Sequence, residues 1–286
     1  MKLTKKLIPA LGMLVLSACM LVTSTFAWFS MNTTVTATNM TVSAKADQVY
    51  LQIVKGNDKT EFKNNEKQTS VNANASISTL QPANVVKSFD KATFVPFDAG
   101  CAADNAHYWV SNTSDSVENG ARVQDYKVAD PAVSYLKVDF MIRLNESAGK
   151  SEATGALKAT SVTFTLDEDG NAAEYVKSFA NCVSVLVVCK EYNTESQKYD
   201  KATGAQLFKQ VKNDIGNFTL ETGDEYLNAS STNAEGKSVF ANTEGVLIEV
   251  YVFFDGENEN CTIANLLAAQ AASETAYTVD VNFSCQ

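Results

Sequence analysis

From about residue 130 onward, apolar and polar side chains alternate with a period of two. In Tyr135–Leu144, Leu136, Val138, Phe140, Ile142 and Leu144 fall on one face. Tyr135, Lys137, Asp139, Met141 and Arg143 fall on the other. A helix would place its apolar residues three and four apart, so this spacing predicts a half-buried antiparallel strand. Val162, Phe164 and Leu166 predict a second strand, ended by the turn cluster Asp167-Glu168-Asp169-Gly170-Asn171. Tyr277, Val279, Val281 and Phe283 predict a closing strand. Val183–Cys189 and Val246–Phe254 are almost wholly apolar, which predicts central strands covered on both faces.

The N-terminal part is less regular. Thr33–Ala46 and Gln48–Lys55 read as strands, with Val42, Ala44 and Ala46, then Val49, Leu51 and Ile53, at alternate positions. Gly56–Asn74 is polar and charged and reads as a long loop. Ser76–Phe97 is mixed, with a turn at Leu80-Gln81-Pro82. Ala99–Asp130 reads as a surface excursion around a short strand at His107–Val110. Lys190–Asn217 reads as irregular with a helical turn at Ala205–Val211, and Phe218–Ser238 as loop. Ala172–Ala180 and Ile263–Ala272 have the composition of short helices. Six to nine strands with almost no amphipathic helix predict an all-β fold. It is a jelly-roll-like antiparallel β-sandwich with long inserted loops and one or two short helices, preceded by an N-terminal signal helix.

That leader is Met1–Ala27. Lys2, Lys5 and Lys6 precede an uncharged run to Phe29, and Thr25-Phe26-Ala27 offers small residues for cleavage. The expected cut falls between Ala27 and Trp28, leaving residues 28–286 as one β-sandwich domain. Two alternatives stay open. Leu16-Ser17-Ala18-Cys19 matches a lipobox, with Cys19 as the lipidated residue, although Met20-Leu21-Val22 continues the apolar run where a polar tether is usual. The leader could also persist as an anchor.

Charge narrows the partners. The 286 residues carry −10, or near −13 without the leader's lysines. That argues against nucleic acid and anionic membrane surfaces. Membrane contact is expected only through the leader before cleavage. Of six cysteines, Cys182 and Cys189 are seven apart, which on one strand puts them on opposite faces. One or two disulfides among Cys101, Cys182, Cys189, Cys261 and Cys285 compete with buried thiols.

Candidate chemistry is sparse. His107 is the single histidine, and no metal-ligand motif, GxSxG elbow or phosphate loop occurs. No cofactor, metal or enzymatic activity is expected. The acidic turns Asp167/Asp169/Asn171 and Asp255/Glu257/Asn258 fit solvated hairpins better than Ca²⁺ sites. The N-x-[ST] sites, beginning at Asn32, Asn39 and Asn74, are ordinary in an Asn/Ser/Thr-rich chain. Trp28–Thr38 is more telling: aromatic, then Thr/Val-rich, without a charge until Lys45. Trp28, Phe29, Thr33, Val35 and Ala37 form a candidate assembly strand able to pair with a sheet edge of a neighbour. Equally, this stretch reads as the first strand of its own sheet.

Thr23-Ser24-Thr25-Phe26-Ala27-Trp28-Phe29-Ser30 resembles the junction of leaders cut by the SipW-type signal peptidase of Gram-positive bacteria, as in the TasA and camelysin group. Thr38–Ala44 resembles the group's first strand. Leu80-Gln81-Pro82 resembles its Leu-x-Pro-Gly-Asp turn, with Ala83-Asn84 in place of Gly-Asp. Val250–Cys261 resembles a strand, acidic turn and Cys element of clostridial members. The resemblance implies export, a jelly-roll sandwich, and a role as a cell-surface or biofilm-matrix subunit. Its partners would be further copies or other matrix and surface proteins, with the signal peptidase as partner during export. It also implies fibres in which the mature N-terminal strand completes the next subunit. Camelysin's metalloprotease activity does not carry over, because no ligand set is identifiable. An alternative without assembly is a monomeric adhesin, with an aromatic patch near Tyr108-Trp109.

Overall fold

The computed structural model describes residues 35–46, 51–64, 70–90, 93–96, 108–112, 117–118, 121–122, 126–145, 152–167, 180–211, 218–256, 258, 260–261 and 276–285. The leader with Ala27 and Cys19, the residues Trp28, Phe29 and Thr33, and His107 and Cys101 lie outside them. So do the expected helices at Ala172–Ala180, apart from Ala180, and at Ile263–Ala272.

The sandwich expected from the alternation is what forms. The strands that build it are β1 (Val35–Ala46), β2 (Leu51–Lys55), β3 (Ser70–Leu80), β4 (Asn84–Asp90), β5 (Thr93–Pro96), β6 (Tyr108–Asn112), β7 (Val117–Glu118), β8 (Ala121–Arg122), β9 (Tyr126–Val128) and β10 (Leu136–Leu144). They continue with β11 (Leu157–Asp167), β12 (Val183–Asn193), β13 (Lys198–Gln210), β14 (Phe218–Gly223), β15 (Ser231–Thr232), β16 (Ser238–Val239), β17 (Val246–Phe254) and β18 (Ala276–Cys285). One sheet has the order β11-β18-β1-β3, and the other β14-β13-β12-β17-β10-β2. Among the strands of these two sheets, β1, β2, β3, β10, β11 and β12 alternate between them in chain order. All ladders are antiparallel except β1 with β18. A parallel pair needs a long crossover, and here almost the whole chain lies between its two strands.

The main core lies between the sheets. Val42 and Ala44 of β1 and Val279, Val281 and Phe283 of β18 meet Ile53, Phe140, Ile142, Val185, Val187, Ile248 and Val250. The first sheet turns its other face to water, with Lys45, Thr165 and Thr160 exposed. There the Ser43 hydroxyl donates to Asp280, which also pairs with Lys45 at 3.4 Å.

The second sheet is covered on both faces, which explains why every residue of β17 is buried. The small sheet β5-β4-β6-β9 lies over one part of its outer face, packing Ala83, Val85 and Trp109 on Leu186, Val188, Tyr251 and Phe253. The helical turn Glu61–Asn64 covers another, packing Phe62 on Val54, Met141 and Leu247. The buried Gln52 amide donates to the Phe62 carbonyl at 2.8 Å and fixes that turn. At Gly245, φ is +102° and a Cβ would come within 2.7 Å of the Phe62 ring, so only glycine fits under it.

Several sequence expectations need correction. Gly56–Asn74 is not one loop: it holds the Phe62 turn, and β3 begins at Ser70. Within Lys190–Asn217, expected to be irregular, residues 190–193 and 198–210 are strand, because β12 runs to Asn193 and turns into β13; residues 212–217 lie outside the described ones. Ala205–Val211 is not a helical turn. Ala205–Lys209 pairs residue by residue with Ser184–Val188, and this ladder overrides the helix-forming composition. Phe218–Gly223 is an edge strand within the stretch expected as loop. Trp109 is not part of an exposed patch: it is buried against Tyr135, Tyr251 and Phe253. Cys182 precedes β12, so the period-two rule does not reach it, and it shares the inter-sheet core with Cys189.

Candidate functional site

The sheet end at which β1 begins carries the described residues of the candidate assembly strand. Val35 pairs with Leu80, and Ala37 with Ile77, so both lie in their own subunit's sheet. The register slips twice there, between Val35 and Ala37 and between Ala37 and Met40. On the other side, the ladder with β18 starts only at Met40 opposite Tyr277. Val35–Asn39 is thus paired on one side alone among the described residues, while Met40–Ala46 is paired on both. Unpaired strand edges of this kind recruit further strands. The edge of β11 is treated differently. The Leu157 N–H donates to the Asn228 carbonyl at 2.8 Å, and the Leu227 N–H to the Leu157 carbonyl at 2.8 Å, so the segment after β14 closes over the start of that edge.

A second feature is a buried charge on the outer face of β17. Glu249 is 4% exposed. It lies directly opposite Asp139 of β10, a like-charge pair that would repel. Lys137 resolves it, with Nζ 2.6 Å from Glu249 Oε1 and 3.2 Å from Asp139 Oδ1. Lys190 of β12 approaches Glu249 Oε2 to 2.8 Å from the opposite side, and the Tyr251 hydroxyl donates to the same oxygen at 2.9 Å. Burial pushes the Glu249 carboxyl upward, but hydrogen bonds from the two lysines outweigh it and hold the group below the usual carboxylate range. Burial and the Glu249 charge both push the Tyr251 hydroxyl far up. Glu249 therefore stays ionised and Tyr251 neutral near pH 7. The cluster ties three neighbouring strands, β10, β17 and β12, in one register. A slip by one residue would turn Glu249 into the inter-sheet core.

A third feature is a cleft of about 410 Å³ between the β12–β13 hairpin and the segment 241–245. Tyr192, 43% exposed, meets Tyr199 edge to face at 5.3 Å. Lys59 lies 5.7 Å above the Tyr192 ring and 3.4 Å from Glu244. Glu191 at its floor accepts from Asn228 at 2.9 Å and from Lys201 at 3.1 Å.

The acidic turn after β17 is structural. Asp255 is buried and pairs with Lys209 at 2.9 Å, while Asn258 donates to the Asn181 carbonyl at 3.0 Å and accepts from the Asn260 N–H at 2.9 Å. The turn is thus not simply solvated as expected, since Asp255 and Asn258 are engaged within the protein; Glu257 lies outside the described residues, and of the other acidic turn only Asp167 is described. Among the described residues no three His, Cys, Asp or Glu side chains group as a metal site. Among them, too, no helix is long and apolar enough to cross a membrane.

Neither the Glu249 cluster nor the cleft stood out in the sequence. A lone Glu in Val246–Phe254 was the signal for the first, since a carboxylate in a strand buried on both faces demands cationic partners. The cleft had none, because its sides come from segments about 40 to 180 residues apart. Comparison of the chain with protein-family models, with curated proteins and with solved structures finds no match to any of them.

Proposed function

We propose that this chain is an exported, non-enzymatic structural protein of the cell surface or extracellular matrix that assembles with its own kind. The observation that carries the reading is the half-paired start of β1. Among the described residues, Val35–Asn39 is paired on one side alone, by β3, at the end of the sandwich where the chain after the leader arrives. Trp28–Thr34, uncharged and extended-prone, is the segment a neighbour would add to such an edge. Main-chain hydrogen bonds would supply affinity, and the alternate side chains Trp28, Ser30 and Asn32 against Phe29, Met31 and Thr33 the register. The resemblance of the leader junction to SipW-type leaders of the TasA and camelysin group supports export and a matrix role. Cleavage between Ala27 and Trp28 would release the donor strand, so export would license assembly.

The test compares the exported protein with a variant lacking Trp28–Thr34, which leaves β1 whole. Sedimentation velocity across a concentration series should show polymers for the first and monomers for the second. Equal assembly by both sinks strand donation.

The cleft at Tyr192 and Tyr199 favours a second reading, a monomeric surface binding module. A concentration-independent monomer would favour it, together with quenching of tyrosine fluorescence by a glycan or peptide that Tyr192→Ala abolishes.

A further inference from the structure

All four described cysteines are buried and carry thiols. Two of them come from distant parts of the chain to one place. Cys182 ends the approach to β12, and Cys261 ends the turn that follows β17. Two hydrogen bonds set the two segments against each other, and a third folds the turn that carries Cys261. The Asp255 N–H donates to the Cys182 carbonyl at 2.8 Å, and the Asn258 amide to the Asn181 carbonyl at 3.0 Å. The Cys261 N–H donates to the Asn258 carbonyl at 2.9 Å. Gln210 of β13 also donates to the Ala180 carbonyl, so the approach to Cys182 is held from a second strand. Both side chains enter the inter-sheet core, at 0% and 3% exposure, and the Cys261 thiol is near enough to bear on the Cys182 thiol.

We propose that Cys182 and Cys261 form a disulfide. Among the described cysteines, a bridge between Cys182 and Cys189 fails on geometry. Cys189 lies seven residues along the same segment, roughly 23 Å away at a strand's rise, whereas bridged Cα atoms lie within about 7 Å. Its thiol instead hydrogen-bonds Thr203 on β13. Cys285 ends β18 in the other sheet, opposite Leu157. Cys261 sits after a turn and not inside a ladder, so its backbone can move the small distance that bond formation needs.

Burial raises the Cys182 thiol far above its ordinary range, and neither sulfur is open to water. The folded dithiol is therefore a poor nucleophile, and the bridge forms while the chain folds. The oxidant is a small-molecule or protein disulfide. One cysteine thiolate attacks a sulfur of that disulfide, and a thiolate leaves. The second cysteine thiolate then attacks the protein sulfur of the mixed disulfide and expels the other half. The two cysteines lose two electrons and two protons, and the oxidant becomes two thiols. The bridge closes a loop of roughly 80 residues that holds β12 to β17, and long loops gain most from closure.

The experiment uses the full chain, unfolded and reduced, then refolded with a mixture of oxidised and reduced glutathione. After alkylation and proteolysis without reductant, mass spectrometry should find the peptide that joins Cys182 to Cys261. Cys189 and Cys285 should be alkylated, and only after denaturation. Wild type should lose about 10 °C of Tm on reduction, and the Cys182→Ala/Cys261→Ala variant none. Absence of the linked peptide overturns the proposal, as does a different dominant pair or a wild-type Tm indifferent to reductant. Neither the bridge nor its test depends on export or strand donation.

Discussion

Replacing Glu249 by Gln changes one atom and removes one charge. In wild type the carboxylate accepts from Lys137 at 2.6 Å, from Lys190 at 2.8 Å and from Tyr251 at 2.9 Å while 4% exposed. The glutamine amide can still accept from Tyr251, but its NH₂ must then face an ammonium. Removing one member of a buried ion pair costs about 3–5 kcal/mol, because the partner charge is left without compensation. Two features reduce this. The Lys137 side chain is 36% exposed and keeps Asp139 at 3.2 Å, and the Lys190 side chain is 19% exposed. The expected loss is therefore about 2–3 kcal/mol. Urea unfolding followed by tryptophan fluorescence reads it directly, since Trp109 lies over the same sheet face. With a slope of about 3 kcal/mol/M for a domain of this size, the midpoint falls by about 0.8 M at unchanged slope. A triple variant, Glu249→Leu with Lys137→Met and Lys190→Met, should recover most of the loss, because a packed apolar cluster replaces buried ions at little cost. A midpoint shift below about 0.2 M for Glu249→Gln would refute the reasoning, as would a triple variant less stable than the single one.

The same cluster sets a pH window. Glu249 is held below the carboxylate range, so its contribution is present above the ordinary value of about 4.3 and is lost as pH falls through the lower folded value. For Lys137 burial pushes downward, but the bond to Glu249 prevails and the group is raised. Its contribution is present below about 10.4 and is lost as pH rises beyond that. Unfolding free energies measured from pH 3 to 11 should show both limbs, and Glu249→Gln should flatten the acid one. Gly204→Ala should cost about 3 kcal/mol or more, read as a lowered Tm, because its Cβ would meet the Tyr226 carbonyl oxygen at 2.3 Å and that of Leu227 at 2.6 Å, and neither can move freely. Gln206→Leu should cost about 1–3 kcal/mol in urea unfolding, because the buried Gln206 carbonyl accepts from the Ala159 N–H at 3.0 Å where β11 bulges, and leucine would leave that donor unmet.

What this sequence determined alone is the strand class and the inward face of the strongest strands. Period-two alternation is local, and one buried face is enough to enforce it. Leu136, Val138, Phe140, Ile142 and Leu144 point to the core as their spacing requires. The reading failed where burial came from distant chain. Phe62, in a charged stretch, is buried because the outer face of β10 and β17 needs a cover. Ala205–Lys209 is strand because Ser184–Val188 lies beside it. Val35 and Ala37 were legible as strand, but that β18 lies beside β1 from Met40 onward depends on a pairing across more than two hundred residues. Cys182 and Cys261 were visible from the start as thiols with many possible partners. Which two meet was decided by the fold, because a covalent pairing needs distance and direction, and a one-dimensional pattern carries neither.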